Sequence, residues 1–250
     1  MARKENVRAD GRRFDQMRPV KIRPRYTTSP HGCALISIGA TKVLCTAMVE
    51  DGVPPFLRER GHGWVTAEYA MLPGSTARRK PRNGLARVDS RGVEIRRLIG
   101  RAVRAAVDLR ALPPCTVWLD CDVLQADGGT RTASVTGAYV ALAEALRWMK
   151  RRKMLSDIPL RSMVAGVSVG MLDGRPALDL SYAEDSQAEV DLNVVMTEGG
   201  RLIEIQGTAE QRPFTEQALR AMLRLARKGA GELFAIQARA LRWQRKPWEK

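Results

Sequence analysis

The Gly-Gly-Thr-Arg sequence at positions 128–131 is the stretch whose residue types best suit chemistry on a phosphate group. It follows an apolar, β-prone stretch at 116–119 and precedes an Ala- and Leu-rich stretch at 133–149, which predicts a turn between a buried strand and a helix. Paired glycines let the backbone approach a ligand, and the unpaired N–H groups of a first helical turn favour an anion. Thr130 adds a hydroxyl, and Arg131 adds a planar cation suited to phosphate oxygens. On its own the string also fits a loop whose arginine points into solvent.

A second candidate is the acidic pair Asp185 and Asp191. If residues 188–196 form a strand that an extended segment leads into, the even spacing places both carboxylates on one side. Two converging carboxylates would repel a polyanion unless they share a cation or one of them is protonated. Mg²⁺ binds carboxylate oxygens together with substrate phosphates. The spacing alone also describes a solvated acidic turn, so the prediction depends on the phosphate turn and on the charge distribution of the chain.

That distribution is uneven. The formal net charge is +15 and the pI is near 10.4, which predicts an acidic partner, most commonly nucleic acid. Positions 78–110 hold eleven Lys and Arg against three Asp and Glu, whereas positions 173–191 hold six acidic residues against Arg175 alone. A protein that only held RNA would gain nothing from this acidic cluster. No helix-turn-helix or zinc signature supports the alternative of a general DNA-binding protein.

Ser168 lies in a Gly-Val-Ser-Val-Gly string that matches the nucleophile elbow of hydrolases. That mechanism needs a histidine after the serine, and both histidines, His31 and His62, precede it. We therefore interpret Ser168 as a strand residue. Phosphoryl or nucleotidyl transfer needs no protein nucleophile, because inorganic phosphate already carries anionic oxygens and the protein has only to position it and neutralise charge.

The remaining patterns predict an α+β fold in a single domain over residues 1–250, with a short basic N-terminal segment and a loose C-terminal tail. The sequence contains no apolar run of about eighteen residues, so no membrane span is predicted. The first residues lack the apolar core of a signal peptide. The cysteines, which form no Cys-x-x-Cys pair, predict reduced, buried thiols in a cytoplasmic protein. The predicted strands are 34–38, 42–49, 64–69, 116–119, 163–169, 176–182, 188–196 and 202–206, and the predicted helices are 91–112, 133–149 and 214–243. Residues 71–88 indicate a mobile basic loop or a surface loop kept soluble by its charge, and the loose tail covers 245–250.

Six longer motifs begin at Arg12 (RRFDQMRP), Val49 (VEDGVPPFL), Trp64 (WVTAEYAMLP), Ile95 (IRRLIGR), Asp120 (DCDVLQADGGTRTAS) and Glu184 (EDSQAEVDLNVVMT). In this order, and over almost the whole chain, they resemble the bacterial ribonuclease PH family. The resemblance implies the fold that this family shares with domain 2 of ribosomal protein S5, with mixed sheets packed against helices. It also implies a phosphate-dependent 3′→5′ exoribonuclease that trims tRNA precursors and other RNA 3′ ends, releases nucleoside diphosphates and runs backwards as a nucleotidyltransferase.

The resemblance also assigns site residues and partners. Orthophosphate, the co-substrate, is bound by Arg91, Gly129, Thr130 and Arg131, while Asp185 and Asp191 serve as catalytic acid or as ligands of a divalent metal such as Mg²⁺. The family assembles as a hexamer, a trimer of dimers, in which RNA passes basic loops. The residues that could contact RNA are the N-terminal arginines, Arg78, Arg79 and Arg82, and the helix arginines Arg96, Arg97 and Arg101.

Two positions depart from the family pattern. Ser90 stands directly before Arg91, where a glycine is expected, and Arg96 replaces the usual glutamine. A different class of function is also open: some relatives are non-catalytic RNA-binding subunits of exosome-like rings, and a +15 charge would suit such a subunit. It would not need to keep the Thr130-Arg131 turn or the acidic pair, and this chain keeps both.

Overall fold

A computed structural model describes residues 7–82, 89–210 and 213–249. They form two sheets and four helices. The first sheet has the strand order β1-β2-β3-β5-β4, in which β4 and β5 are parallel and the other neighbours antiparallel. Its strands are β1 (Val20–Pro24), β2 (Gly32–Ile38), β3 (Thr41–Asp51), β4 (Trp64–Met71) and β5 (Cys115–Gln125).

The second sheet is antiparallel, with the order β7-β6-β8-β9. Its strands are β6 (Val164–Leu172), β7 (Arg175–Leu178), β8 (Val190–Thr197) and β9 (Leu202–Ala209). The helices are α1 (Ser90–Ala105), α2 (Thr130–Arg151), the one-turn α3 (Tyr182–Asp185) and α4 (Glu216–Ala240). The α+β prediction is confirmed.

Helix α2 lies at the centre of the fold. It packs against β2 and β3 of the first sheet and against β6 of the second, and its residues 132–146 are all buried. Burial on every side explains a sequence so rich in small and apolar residues. Gly32 permits the close approach, because a Cβ at that position would lie 2.0 Å from the carbonyl oxygen of Ala141.

Two predicted elements were too long, and one strand was missed. The first helix ends at Ala105 rather than at 112, since Asp108 caps a separate 3₁₀ turn and Pro113 follows. The strand predicted over 176–182 ends at Leu178, because Asp179 takes the left-handed conformation, with φ of 54°. Strand β1 was missed, since its residues were assigned to a basic, turn-rich segment.

The remaining predictions concern the cysteines, the basic loop, the C-terminal tail and membrane spans. All four cysteines are buried and free, as predicted. Residues 72–82 contain no strand or helix, and residues 83–88 of the predicted loop lie outside the described residues. The C-terminal tail makes contacts up to Glu249: the Trp248 ring lies 5.5 Å from that of Trp243, and Lys246 forms an ion pair with Glu198. Within the described ranges, no helix is both long and apolar enough to cross a membrane.

Candidate active site

The predicted phosphate turn connects β5 to α2. Gly128 and Gly129 have φ of 74° and 67°, and Gly129 is the N-cap residue of α2. Because this residue has no side chain, the first N–H groups of α2 have no side-chain cap there. A Cβ on Gly128 would lie 2.5 Å from the carbonyl oxygen of Leu180, so only glycine fits this close passage between the two halves of the chain. The strand–turn–helix arrangement predicted from the sequence is confirmed.

Side chains from the first sheet support this turn. The Thr41 hydroxyl donates to the carbonyl oxygen of Gly128 at 2.7 Å and accepts from the Asp127 N–H at 2.8 Å. The Tyr69 hydroxyl lies 2.9 Å from the Thr130 hydroxyl oxygen. Burial raises the pKa of Tyr69, which keeps its phenol neutral. The Thr130 hydroxyl is therefore oriented by a neutral partner.

The Arg131 side chain lies in the pocket with only 19% of its surface exposed. Its Nη1 donates to Gln206 Oε1 at 2.8 Å and lies 3.5 Å from Glu94 Oε1. Gln206 Nε2 in turn donates to Glu94 Oε1 at 2.8 Å. The alternative of an arginine that points into solvent is therefore wrong.

Arg91 lies in the first turn of α1 and lines the same pocket. Asp89 caps this helix, since its carboxylate accepts from the Gly92 N–H at 3.1 Å. Ser90, which replaces the expected glycine, is the first residue of α1, so this departure leaves the helix start intact.

Asp185 and Asp191 come together across this pocket from the phosphate turn. Burial, together with the charge of Asp185, raises the pKa of Asp191 to about 6, against the opposing effect of Arg131. Burial also raises the pKa of Asp185, while Arg91 and Arg131 act to lower it. Asn193 Nδ2 donates to the Asp191 oxygens at 3.2 and 3.4 Å. The pair therefore carries a stored repulsion that a proton or a cation would relieve.

The extended segment predicted before β8 was wrong, although both carboxylates line the same pocket. Asp185 does not lie in an extended segment before β8; it ends the one-turn helix α3. A capping box between Ser181 and Glu184 starts that helix. The chain then turns back, so that Ala188 and Asp191 also face the pocket.

The pocket has a volume of about 480 Å³ and combines both candidate sites. Ser168 lies on β6 opposite Asn193 on β8, which confirms that it is a strand residue. Ser168 and Asn193 were not predicted to line the site, although the two-residue strand period places Asn193 on the same face as Asp191. The lining residues are Arg91, Gly129, Thr130, Arg131, Ser168, Asp185, Ser186, Ala188, Asp191, Asn193 and Glu210.

The N-terminal arginines were predicted to face RNA, and for three of them this was wrong. Arg8, Arg12 and Arg18 are buried, with 6–7% of each residue exposed. They form ion pairs with Asp179 and Glu184. Nothing in their local sequence distinguished them from surface arginines, because their partners Asp179 and Glu184 lie more than 160 positions away.

The other candidate RNA contacts lie outside the pocket. Arg78, Arg79 and Arg82 are exposed on the segment after β4. Arg96, Arg97 and Arg101 lie on the outer side of α1, where they line a separate depression together with Trp118. Arg96 pairs with Glu68 at 3.1 Å and Arg101 with Glu204 at 2.6 Å.

The comparisons with known proteins agree with this architecture. Two family models match, the 3′ exoribonuclease family domain 1 over residues 16–147 and domain 2 over residues 162–229. The chain belongs to the 3′ exoribonuclease family. The phosphate turn thus falls in the part matched by domain 1 and the acidic pair in the part matched by domain 2.

Relatives in this family match over nearly their whole length. Ribonuclease PH of Corynebacterium efficiens is 57% identical over 236 residues, which are 94% of this chain and 96% of that protein. Ribonuclease PH of Corynebacterium kroppenstedtii is 54% identical, covering 98% of this chain and 95% of that protein.

Two solved structures share the fold at lower identity. A chain of the Archaeoglobus fulgidus exosome with RNA bound to the active site matches with a TM-score of 0.76 and 23% identity, covering 92% of each chain. Rice Rrp46 matches with a TM-score of 0.76 and 18% identity, covering 94% of this chain and all of that one. These two comparisons support the fold.

Proposed function

We propose that this protein is a phosphate-dependent 3′→5′ exoribonuclease that trims tRNA precursors, releases nucleoside diphosphates and catalyses the reverse nucleotidyl transfer. One observation carries the proposal: a helix N-terminus with two arginines faces two carboxylates across one pocket. The curated relatives, each named ribonuclease PH, support the same assignment.

Orthophosphate is the attacking group in this proposal. The first N–H groups of α2, the Thr130 hydroxyl and the guanidinium groups of Arg91 and Arg131 would bind it. Arg131 is suited to this because its closest partner is the neutral amide of Gln206, at 2.8 Å, and its ion pair with Glu94 is longer, at 3.5 Å. Binding also brings a second anion, the RNA end, close to the phosphate, which requires this concentration of positive charge.

The reaction exchanges one P–O bond for another. An oxygen of orthophosphate attacks the phosphorus that links the last nucleotide to the RNA, and the bond from this phosphorus to the preceding 3′ oxygen breaks. The terminal nucleotide leaves as a nucleoside 5′-diphosphate, and the shortened RNA takes up a proton at its new 3′ hydroxyl. When no cation occupies the acidic pair, Asp191 can hold that proton at its carboxyl oxygen, because its raised pKa of about 6 favours the acid more than an ordinary aspartate does.

A divalent cation such as Mg²⁺ fits the acidic pair. In the described part of the chain, no group of three or more His, Cys, Asp or Glu side chains is placed to hold a metal. The protein would therefore supply only the two carboxylates of Asp185 and Asp191. Water and phosphate oxygens would be the other ligands, an arrangement that Mg²⁺ accepts. When bound, the cation would neutralise charge on the reacting phosphates.

The proposal extends to partners and location. The exposed arginines Arg78, Arg79, Arg82 and Arg97 would contact RNA phosphates, and the ion-paired Arg96 and Arg101 would extend that surface. We further propose a cytoplasmic homohexamer built as a trimer of dimers. The retained phosphate turn and acidic pair favour an active enzyme over a non-catalytic ring subunit.

The test is phosphorolysis of a tRNA that carries extra 3′ nucleotides, with and without orthophosphate. We expect nucleoside diphosphates, and only when phosphate is present. The control is the Asp185→Asn, Asp191→Asn double variant purified in the same way, which detects contaminating nucleases. Release of nucleoside monophosphates, or trimming that ignores phosphate, would contradict the proposal.

A further inference from the structure

The N-terminal segment at 7–18 contacts both halves of the candidate active site through buried arginines. Arg8 and Arg18 have side chains only 1% and 6% exposed. Each is paired with a carboxylate in the second half of the chain, Glu184 and Asp179 respectively. Desolvating two guanidinium groups is costly, and such pairs often add little net stability. Their contacts therefore point to a purpose other than stability.

Arg8 holds α3 through Glu184. Its Nε donates to Glu184 Oε1 at 2.6 Å and its Nη2 donates to Glu184 Oε2, which is the two-pronged geometry that only arginine provides. Arg12 adds a third contact at 3.1 Å. The same carboxylate accepts from the Ser181 N–H at 2.8 Å and so caps the helix.

The position of Asp185 depends on the contact between Arg8 and Glu184, because Asp185 directly follows Glu184 in the chain. Helix α3 has four residues, which is too short to be stable without outside contacts. The position of the Asp185 carboxylate is thus set by what holds α3, and Arg8 is the most buried of those groups.

Arg18 holds the phosphate turn. Its Nε and Nη2 donate to the Asp179 carboxylate at 2.9 and 2.7 Å. From the other side of the guanidinium group, Nη1 donates to the carbonyl oxygen of Asp127, and Nη2 lies 3.4 Å from that of Gly128. One side chain therefore ties the turn before α2 to the end of β7.

We infer that Arg8 and Arg18 are positioning residues for the reaction, Arg8 placing the Asp185 carboxylate and Arg18 placing the phosphate turn. The inference rests on the proposed function. The two residues have separate kinetic effects: Arg8 affects the turnover number kcat, and Arg18 affects phosphate binding.

The experiment compares Arg8→Lys and Arg18→Lys, which keep the charge and remove the two-pronged contact. We expect Arg8→Lys to lower kcat about 10-fold with the phosphate KM within about twofold, since small misplacements of a reacting group are costly. We expect Arg18→Lys to raise the phosphate KM about 10-fold with a smaller effect on kcat. Should Arg8→Lys fail to fold, Glu184→Gln tests the same contact and is expected to lower kcat likewise.

The matched control is Arg147→Lys. Arg147 pairs at 2.8 Å with the buried Glu144 near the opposite end of α2, outside the pocket. We expect this variant to change thermal stability and to leave both kinetic constants unchanged. If Arg8→Lys and Arg18→Lys behave like this control, with lower Tm and unaltered kinetics, the inference is wrong.

Hydrogen exchange and phosphate binding separate this inference from the proposed function. Arg8→Lys should speed amide exchange in α3, and Arg18→Lys should speed it at 127–129 and weaken binding of inorganic phosphate measured by calorimetry. If the wild-type protein releases no nucleoside diphosphate, the proposed function fails, while these two readouts still support or overturn the positioning roles.

Discussion

At the scale of single residues, Arg131 makes its shortest hydrogen bond to a neutral partner, and its ion pair with Glu94 is longer. Its short hydrogen bond, at 2.8 Å, goes to the neutral Gln206, and the carboxylate of Glu94 is farther away at 3.5 Å. A guanidinium group in close contact with a carboxylate would have to give up that contact before binding phosphate. Gln206 therefore orients Arg131 and leaves its charge available to the substrate.

The variant Arg131→Ala should raise the phosphate KM roughly 10- to 100-fold, because a charge-assisted hydrogen bond contributes about 1.5–3 kcal/mol. RNA binding should change little, since the lost contact is to the small co-substrate. Steady-state kinetics at varied phosphate, with RNA binding measured separately, check this. Arg78→Ala is the control with the opposite pattern, and an unchanged phosphate KM in Arg131→Ala would remove that residue from the site.

The raised pKa of Asp191 predicts that the free energy of unfolding depends on pH. Burial raises its pKa from 3.8 to about 6, so the folded state binds an additional proton between these values. The stability of the wild type relative to Asp191→Asn should therefore fall as the pH rises from about 4 to about 6, by up to about 3 kcal/mol. Urea unfolding at several pH values, in chelator-treated buffer, measures the difference. A difference that is flat or increases with pH would contradict this.

At the scale of elements, the active site forms where α2, α3 and β8 meet, each contributing a different kind of group. Helix α2 supplies unpaired N–H groups at its first turn. Strand β8 supplies side chains at fixed two-residue intervals, which places Asp191 and Asn193 on one face. The short α3 supplies Asp185, whose position depends on contacts outside the helix.

The variant Gly128→Ala should displace the phosphate turn, because its Cβ would overlap the carbonyl oxygen of Leu180. We expect a loss of about 1–3 kcal/mol in stability and a higher phosphate KM. Gly174→Ala is the matched control, since Gly174 has φ of 71° and nothing within 4 Å of an added Cβ. Equal kinetic effects in the two variants would show that backbone strain alone is responsible.

At the scale of the whole molecule, positive charge outside the pocket should control RNA affinity. Replacing Arg78, Arg79 and Arg82 together by alanine should weaken RNA binding. The negative slope of the log of the RNA association constant against log salt should become shallower by about 2, since each phosphate contact contributes about 0.7 for a single strand. The phosphate KM should be unaffected. Binding of single-stranded RNA at several salt concentrations tests this, and an unchanged slope would place the RNA elsewhere.

We also propose that the chain unfolds as a single domain. One cluster of buried hydrophobic residues extends over both sheets, with Ile36, Tyr139 and Val194 among its members. Amide exchange in both sheets should therefore report the same free energy of unfolding. Independent transitions for residues 16–147 and 162–229 would contradict this.

Much of the site was predictable from the sequence because it depends on local chain geometry. A glycine pair between a β-prone stretch and an Ala-rich stretch predicts a strand–turn–helix, and the structure has one there. The isolated acidic cluster in a basic chain indicated Asp185 and Asp191, and both line the pocket. These features follow from residue types within a few positions of one another.

Other features were decided only by the tertiary structure. Arg8, Arg12 and Arg18 have the same local character as exposed arginines, and only the folded chain brings Asp179 and Glu184 to them. The one-turn α3 and the left-handed conformation of Asp179 were likewise not predicted, and each contains a carboxylate of those long-range ion pairs. The physical reason is that the sequence determines which groups can form an ion pair, whereas burial and distance, which decide whether they do, arise only when both sheets close around α2.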